Sequence, residues 1–144
     1  HDAADPVSYQ ITWQDKKIGM LTDSGMLSDE NMNALYDSDI LLIEANHDVD
    51  MLRDGPYPYY LKQRIGGRFG HLSNSNCAQA LPEIMSARTK HVVLAHLSEQ
   101  NNLPMCAYQT VCDALAAHLP KGHAVDVHVA SQKTPLALSL PSLT

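Results

Sequence analysis

Cysteine is scarce in this chain: Cys77, Cys106 and Cys112 are odd in number and none belongs to a Cys-x-x-Cys pair. That excludes a disulfide framework and reads as buried or inert thiols in a reducing, cytoplasmic compartment. Long apolar runs are missing, and with them any bilayer-spanning segment, so no membrane partner is expected. Basic residues are outnumbered, ten Lys and Arg against sixteen Asp and Glu, for a formal charge of −6. A molecule coated in positive surface is excluded; one local basic groove is not. The chain also lacks an initiating methionine, opening on His1 with no charged stretch, apolar run or cleavage site of a signal peptide. It is expected to be a processed product or a fragment. What is present is ordinary for a globular domain: 44% hydrophobic and 18% charged residues give disorder little support.

Two short apolar strands each run into a residue of metal-ligand type. Ile18-Gly19-Met20-Leu21-Thr22-Asp23-Ser24-Gly25 delivers Asp23, and Val92-Val93-Leu94-Ala95-His96 delivers His96. Runs of this length bounded by turn residues read as buried strands. A carboxylate or imidazole just past such a strand is held by rigid backbone yet reachable from solvent. With His1 added, the order is His, Asp, His, and neutral imidazole with carboxylate is the ligand set of a zinc- or manganese-type hydrolytic site.

The rest of the chain alternates elements with no repeat and no linker. Val7–Trp13 alternates as a half-buried strand, and Gln14 to Lys17 makes a polar hairpin turn. Ser28 caps a helix with Met32, Leu35 and Tyr36 on one face and acidic residues in its first turn. Ile40–Ile43 is a buried strand, and residues 49–70 form an excursion rich in Pro, Gly, Tyr and basic side chains. A helix capped by Ser73 or Asn74 runs to about Ala87, and another spans roughly Met105 to His118. Val125–Ala130 and Leu136–Leu140 alternate as closing strands. The order ββαβ(loop)αβαββ is that of a mixed α/β domain.

Each candidate taken singly has a plainer reading. Asp23 is equally a turn-forming residue before Gly25, and His96 alone is more often a core histidine at a strand end. His91, His118, His123 and His128 are assigned to turns, a helix end and a strand, without chemistry. The joint occurrence carries the metal reading. A further layer lies in Ile43-Glu44-Ala45-Asn46-His47-Asp48, four polar side chains after a buried strand, and in Gly70-His71-Leu72-Ser73-Asn74, a histidine just ahead of a helix. His71 there is placed to donate a proton to a leaving oxygen, with Glu44 holding its ring; the plainer alternative is helix capping by His71 and Ser73. Tyr57-Pro58-Tyr59-Tyr60-Leu61-Lys62-Gln63-Arg64-Ile65 and Arg68 interleave aromatics with three of the ten basic residues. That suits contact with a nucleic-acid backbone, and equally a solvated helix face.

These segments, with His-Asp-Ala-Ala-Asp-Pro-Val (1–7) and Ala-His-Leu-Ser-Glu-Gln-Asn-Asn (95–102), resemble the C-terminal half of the YycJ/WalJ-type metallo-β-lactamase-fold hydrolases. These are bacterial DNA exonucleases related to ribonuclease Z. The motifs come in family order over nearly the whole chain. The resemblance implies an α/β fold, a metallo-β-lactamase-like αββα sandwich, with residues 1–144 as the C-terminal half of a single domain. It implies two divalent metal ions, zinc or manganese, with His1, Asp23 and His96 as ligands and Asp23 bridging. His71 corresponds to the histidine near the scissile phosphate, supported by Glu44. Lys62, Arg64 and Arg68 are the candidate substrate contacts, and DNA in preference to RNA is the expected partner, digested 5′ to 3′. His47 matches a family position without being a ligand.

The family's His-x-His-x-Asp-His motif does not occur in residues 1–144. By the resemblance it belongs to the N-terminal half, and these residues alone offer each metal at most one imidazole and the shared Asp23. Zinc normally takes three protein ligands even in catalytic sites, so these 144 residues are expected to be inactive alone and the parent active. Its strands need cover on both faces, so the isolated chain is expected to expose an apolar patch and to associate or require that half. Two other readings stay open: a small-molecule hydrolase for esters, thioesters or lactams on the same fold, and a non-catalytic interaction piece.

Overall fold

A computed structural model describes residues 1–4, 6–120 and 122–140. Ten elements follow in order: β1 (Tyr9–Trp13), β2 (Lys16–Leu21), α1 (Asp29–Leu35), β3 (Ile40–Glu44), α2 (Val49–Asp54), α3 (Tyr59–Ile65), α4 (Asn74–Ile84), β4 (His91–Ala95), α5 (Pro104–His118) and β5 (Asp126–Val129). The strands form one five-stranded sheet in the sequential order β1-β2-β3-β4-β5. The β1–β2 hairpin is antiparallel, and β2 through β5 are parallel. The mixed α/β class expected from the pattern is the one observed.

Local chemistry accounts for the elements. Ser28 accepts from Asn31 N–H and Ser73 from Asn76 N–H, each satisfying a free donor at a helix start. Asp48 caps α2 by accepting from both Asp50 and Met51 N–H. The three central strands bury one face: Leu21, Leu41, Ile43, Val92 and Leu94 pack with Leu35 of α1, Leu81 and Ile84 of α4, and Val111 and Leu115 of α5. Gly19 belongs to this face, where a Cβ would lie 2.8 Å from Leu35 Cδ2. The strand period of two puts Ile18, Met20, Ile40 and Leu42 on the other face, only half-buried. Register extends that face through Met20 to Tyr9 and through Ile18 to Ile11. Tyr9, Ile11 and Trp13 are 60%, 52% and 69% exposed, a row of large apolar side chains without cover.

Several details differ from the sequence expectations, among them β1, which opens at Tyr9 instead of Val7 and is exposed along its whole length instead of half-buried. Residues 136–140 alternate but form no strand; Pro135, at the head of the run, has no N–H to give to a ladder. The excursion over 49–70 carries two short helices. Tyr36 leaves the buried face because it caps α1 with an extended backbone (ψ 141°) and is exposed. His91 is not a turn residue but the first residue of β4.

Candidate metal centre

The parallel strands finish in step, with Leu21 beside Ile43, Ile43 beside Leu94 and Leu94 beside Val129. Residues just past their ends therefore gather on one edge, the carboxyl edge where open α/β sheets bind ligands. Asp23 and His96 both take left-handed backbone there, φ 55° and 57°. Asp and His are among the few non-glycine residues that tolerate this region. The loop after Asp23 lies directly on the loop before His71: a Cβ at Gly25 would come within 2.3 Å of Gly67 O. Only glycine allows that approach.

Glu44 ends β3 and is fully buried. Its Oε1 accepts from His71 Nδ1–H (2.8 Å) and His96 Nδ1–H (2.6 Å), and its Oε2 from the backbone N–H groups of Ser24 (3.0 Å) and Leu72 (3.1 Å). Burial alone would raise this carboxyl; the His71 and His96 hydrogen bonds, with those from Ser24 and Leu72, overcome it and hold the pKa at about 2. An ionised carboxylate only accepts, so both rings carry their proton on Nδ1 and keep a lone pair on Nε2. The His96 pKa is raised, chiefly by its hydrogen bond to Glu44 and against the effect of burial.

Asp23 stands among the imidazoles. Its Oδ1 lies 3.5 Å from His1 Nε2, 3.7 Å from His71 Nδ1 and 3.8 Å from His96 Nδ1. Among the described residues no hydrogen bond reaches this carboxylate. The His71 ring sits 5.1 Å from His1 and 5.4 Å from His96, centroid to centroid. Ligand-type atoms of Asp23, Glu44, His71 and His96 all fall within 4.8 Å of one another. Glu44 has no free lone pair left for a cation, so it orients the rings, as outer carboxylates do around metal-bound histidine. Asp23 and the Nε2 atoms of His71 and His96 keep free lone pairs, whereas His1 Nδ1 accepts from Ala3 N–H (3.0 Å), which puts its ring proton on Nε2 facing Asp23. Nitrogen and carboxylate oxygen are donor types that suit a divalent transition metal.

The five residues His1, Asp23, Glu44, His71 and His96 thus come together. The basic residues do not join them as one group. Arg64 hydrogen-bonds Asp2 and lines, with His1, Tyr57 and His71, a recess of about 240 Å³ beside the cluster. Lys62 Nζ donates to Arg53 O (2.6 Å), and Arg68 lies over the Phe69 ring at 5.8 Å.

Asparagines that sequence reasoning passed over build the frame. Asn46 Nδ2 donates to His96 O (2.9 Å), fixing the turn that carries His96. Asn74 and Asn102 exchange amide hydrogen bonds of 2.9 Å, and Asn102 Nδ2 also donates to Ala45 O and Asn46 O just past Glu44. Asn46, Asn74 and Asn102 each stand inside a motif segment, the one signal that could have found them. His47 belongs to the same frame: buried, it accepts from Asn74 N–H through its carbonyl, and desolvation lowers its pKa.

The carboxylate-anchored histidine cluster on the carboxyl edge of the parallel strands is a grouping that could hold a metal ion. In sequence, the chain is similar to the exodeoxyribonuclease WalJ of Streptococcus pneumoniae serotype 2 (strain D39 / NCTC 7466), 44% identical over 116 residues. It is likewise similar to the exodeoxyribonuclease YycJ of Bacillus anthracis, 36% identical over 136 residues. These alignments cover 81% and 94% of this chain but 43% and 52% of the relatives, so the chain spans about half the length of the curated relatives it matches. The resemblance read from the motifs is borne out at this level. A solved diphosphatase from the PhnP family matches 78% of this chain and 32% of its own at 21% identity and a TM-score of 0.43. No protein-family model matches.

Proposed function

We propose that these residues are the C-terminal half of a single metallo-β-lactamase-like domain whose full-length form is a cytoplasmic, metal-dependent phosphodiesterase, a 5′-to-3′ DNA exonuclease. The observation that carries the reading is the buried Glu44 gripping His71 and His96 beside the open carboxylate of Asp23. The names of the curated relatives, exodeoxyribonucleases, supply the substrate class. His1, Asp23 and His96 would help to hold divalent ions, zinc or manganese, with the remaining ligands supplied by the other half of the domain. When bound, such ions supply Lewis acidity at phosphoryl oxygens.

The chain's own groups do the rest. Glu44 keeps Nδ1 of His71 protonated, so a second proton taken up on Nε2, which makes the ring an imidazolium, is the one His71 would give to the departing oxygen, leaving the neutral Nδ1–H ring. Arg64, in the recess shared with His1 and His71, meets the backbone phosphate next to the scissile one, with Lys62 and Arg68 further along the strand. The uncovered face bearing Tyr9, Ile11 and Trp13 is where the other half packs. The isolated 144 residues are accordingly inactive and self-associating.

The test is digestion of end-labelled DNA duplexes by the full-length protein with zinc or manganese, against esters, thioesters and lactams in parallel. Mononucleotide release from 5′ ends supports the proposal. Turnover confined to the small substrates would replace it with the small-molecule hydrolase of the same fold.

A further inference from the structure

The amino edge of the same sheet carries a second constellation. In register His91 of β4 pairs Asp126 of β5, and Val93 pairs His128. The strand period puts His91, Asp126 and His128 on the face opposite the helices. His91 Nδ1 lies 3.2 Å from His128 Nε2 and 3.8 Å from Asp126 Oδ2. On its other side His91 Nε2 lies 3.1 Å from Ser139 O. A carbonyl only accepts, so Nε2 carries the ring proton and Nδ1 accepts from His128 Nε2–H; a metal ion would take the place of that shared proton, His128 keeping its own on Nδ1.

We propose that His91 Nδ1, His128 Nε2 and Asp126 Oδ2 bind one divalent transition-metal ion of the zinc type, separate from the carboxyl-edge centre. Three features argue for it. Tetrahedral zinc with bonds of about 2.0–2.1 Å spaces neighbouring donors about 3.3–3.4 Å apart, close to the 3.2 Å between the two ring nitrogens. The Nε2–H to carbonyl bond is the outer partner that fixes a metal-bound imidazole in one tautomer. Two nitrogens and one carboxylate suit zinc, copper or nickel over the all-oxygen preference of magnesium and calcium. Ligand-type atoms of the three residues lie within 4.8 Å of one another, before any adjustment of the exposed Asp126.

The site stands apart from the proposed catalytic one. His91 opens β4 and His96 follows its end, about 13 Å of strand between first and last residue. Because Ser139 holds the His91 ring, the ion would clip β4, β5 and the segment containing Ser139 together. Its role is structural, and it does not rest on the proposed nuclease activity.

The experiment uses the full-length protein, depleted of metal and titrated with zinc against a chromophoric chelator. We compare the native protein with His128→Gln and Asp126→Asn. His128→Gln should bind one zinc ion fewer per chain, and zinc should raise its melting temperature less than it raises the native protein's. Asp126→Asn, at an exposed position that folding tolerates, exchanges a charged ligand for a neutral amide and should weaken one site by at least the roughly 10- to 100-fold lost when an outer supporting group is removed. Neither should change turnover at saturating metal. Equal zinc stoichiometry in His128→Gln overturns the site; if that variant does not fold, unchanged affinity at every site in Asp126→Asn does so.

Discussion

Strand β3 carries a buried carboxylate at each end, and the two are solved differently. Asp39, just before the strand, accepts from Arg88 Nε (2.8 Å) and Lys17 N–H (2.8 Å), with Arg88 Nη2 also 2.8 Å away. Glu44, its last residue, accepts from two imidazoles and two backbone N–H groups. Both carboxyl pKa values are lowered against the effect of burial. A guanidinium is a permanent cation whose donors are all it has to offer. An imidazole that gives Nδ1–H to a carboxylate still has Nε2 for a metal or a proton. The amino-end pair therefore closes on itself, and the carboxyl-end cluster opens outward. Desolvated charge marks both ends, and only the partner type separates scaffold from chemistry.

The comparison breaks most sharply at Asp23. In the full-length protein Asp23→Ala should abolish hydrolysis and lower bound metal, because it removes the one carboxylate in the cluster free of hydrogen bonds. Normal turnover with undiminished metal, by elemental analysis, would sink the assignment. Next, His71→Ala should reduce kcat by about 10²–10⁴-fold, the range for losing a positioned acid, with metal content held. If metal leaves with the ring, His71 is a ligand, which its symmetry with His96 about Glu44 makes a pointed test.

Glu44→Gln sharpens the contrast further. A Gln amide offers one acceptor oxygen where four donors converge, and its NH₂ must face donors. Loss of ring orientation should weaken metal binding by about 10- to 100-fold, read by chelator competition. Unaltered affinity would make Glu44 a scaffold residue of the Asp39 kind.

Much of this architecture was legible because it is local. Short continuous apolar runs over Ile18–Leu21 and Val92–Ala95, and the caps Ser28 and Ser73, declare themselves within a few residues. Asp23, His96, Glu44 and His71 were legible because each follows a strand or precedes a helix, and parallel register brings such positions together. The His91–Asp126–His128 grouping was not, since it depends on the β4–β5 register across 37 residues, which no local pattern states. The Asn74–Asn102 pair hid for the same reason. Residues 136–140 misled because alternation reports a half-buried habit, not the presence of a partner strand.

The smallest expected effect is at Asp39, and it isolates scaffold from chemistry. Asp39 Oδ2 gathers the Lys17 N–H and the Arg88 guanidinium, while its carbonyl accepts from Lys90 and His91 N–H at the start of β4. Asp39→Asn keeps the shape and removes the charge, so the loss should be near that of hydrogen bonds to an ionised group, about 1.5–3 kcal/mol. Burial raises this carboxyl, but the Arg88 and Lys17 hydrogen bonds outweigh it and the folded pKa lies below the ordinary 3.8. A carboxyl lowered in the folded state stabilises fully above its unfolded value and loses that contribution as pH falls through the folded one. The native protein should therefore lose stability below about pH 4, and Asp39→Asn should show a shallower decline over the same range. Denaturant melts from pH 6 to pH 2 measure both curves. Turnover per folded molecule at neutral pH should match the native protein. If Asp39→Asn depresses turnover as Glu44→Gln is expected to, the two ends of β3 are not the separate devices their partners make them.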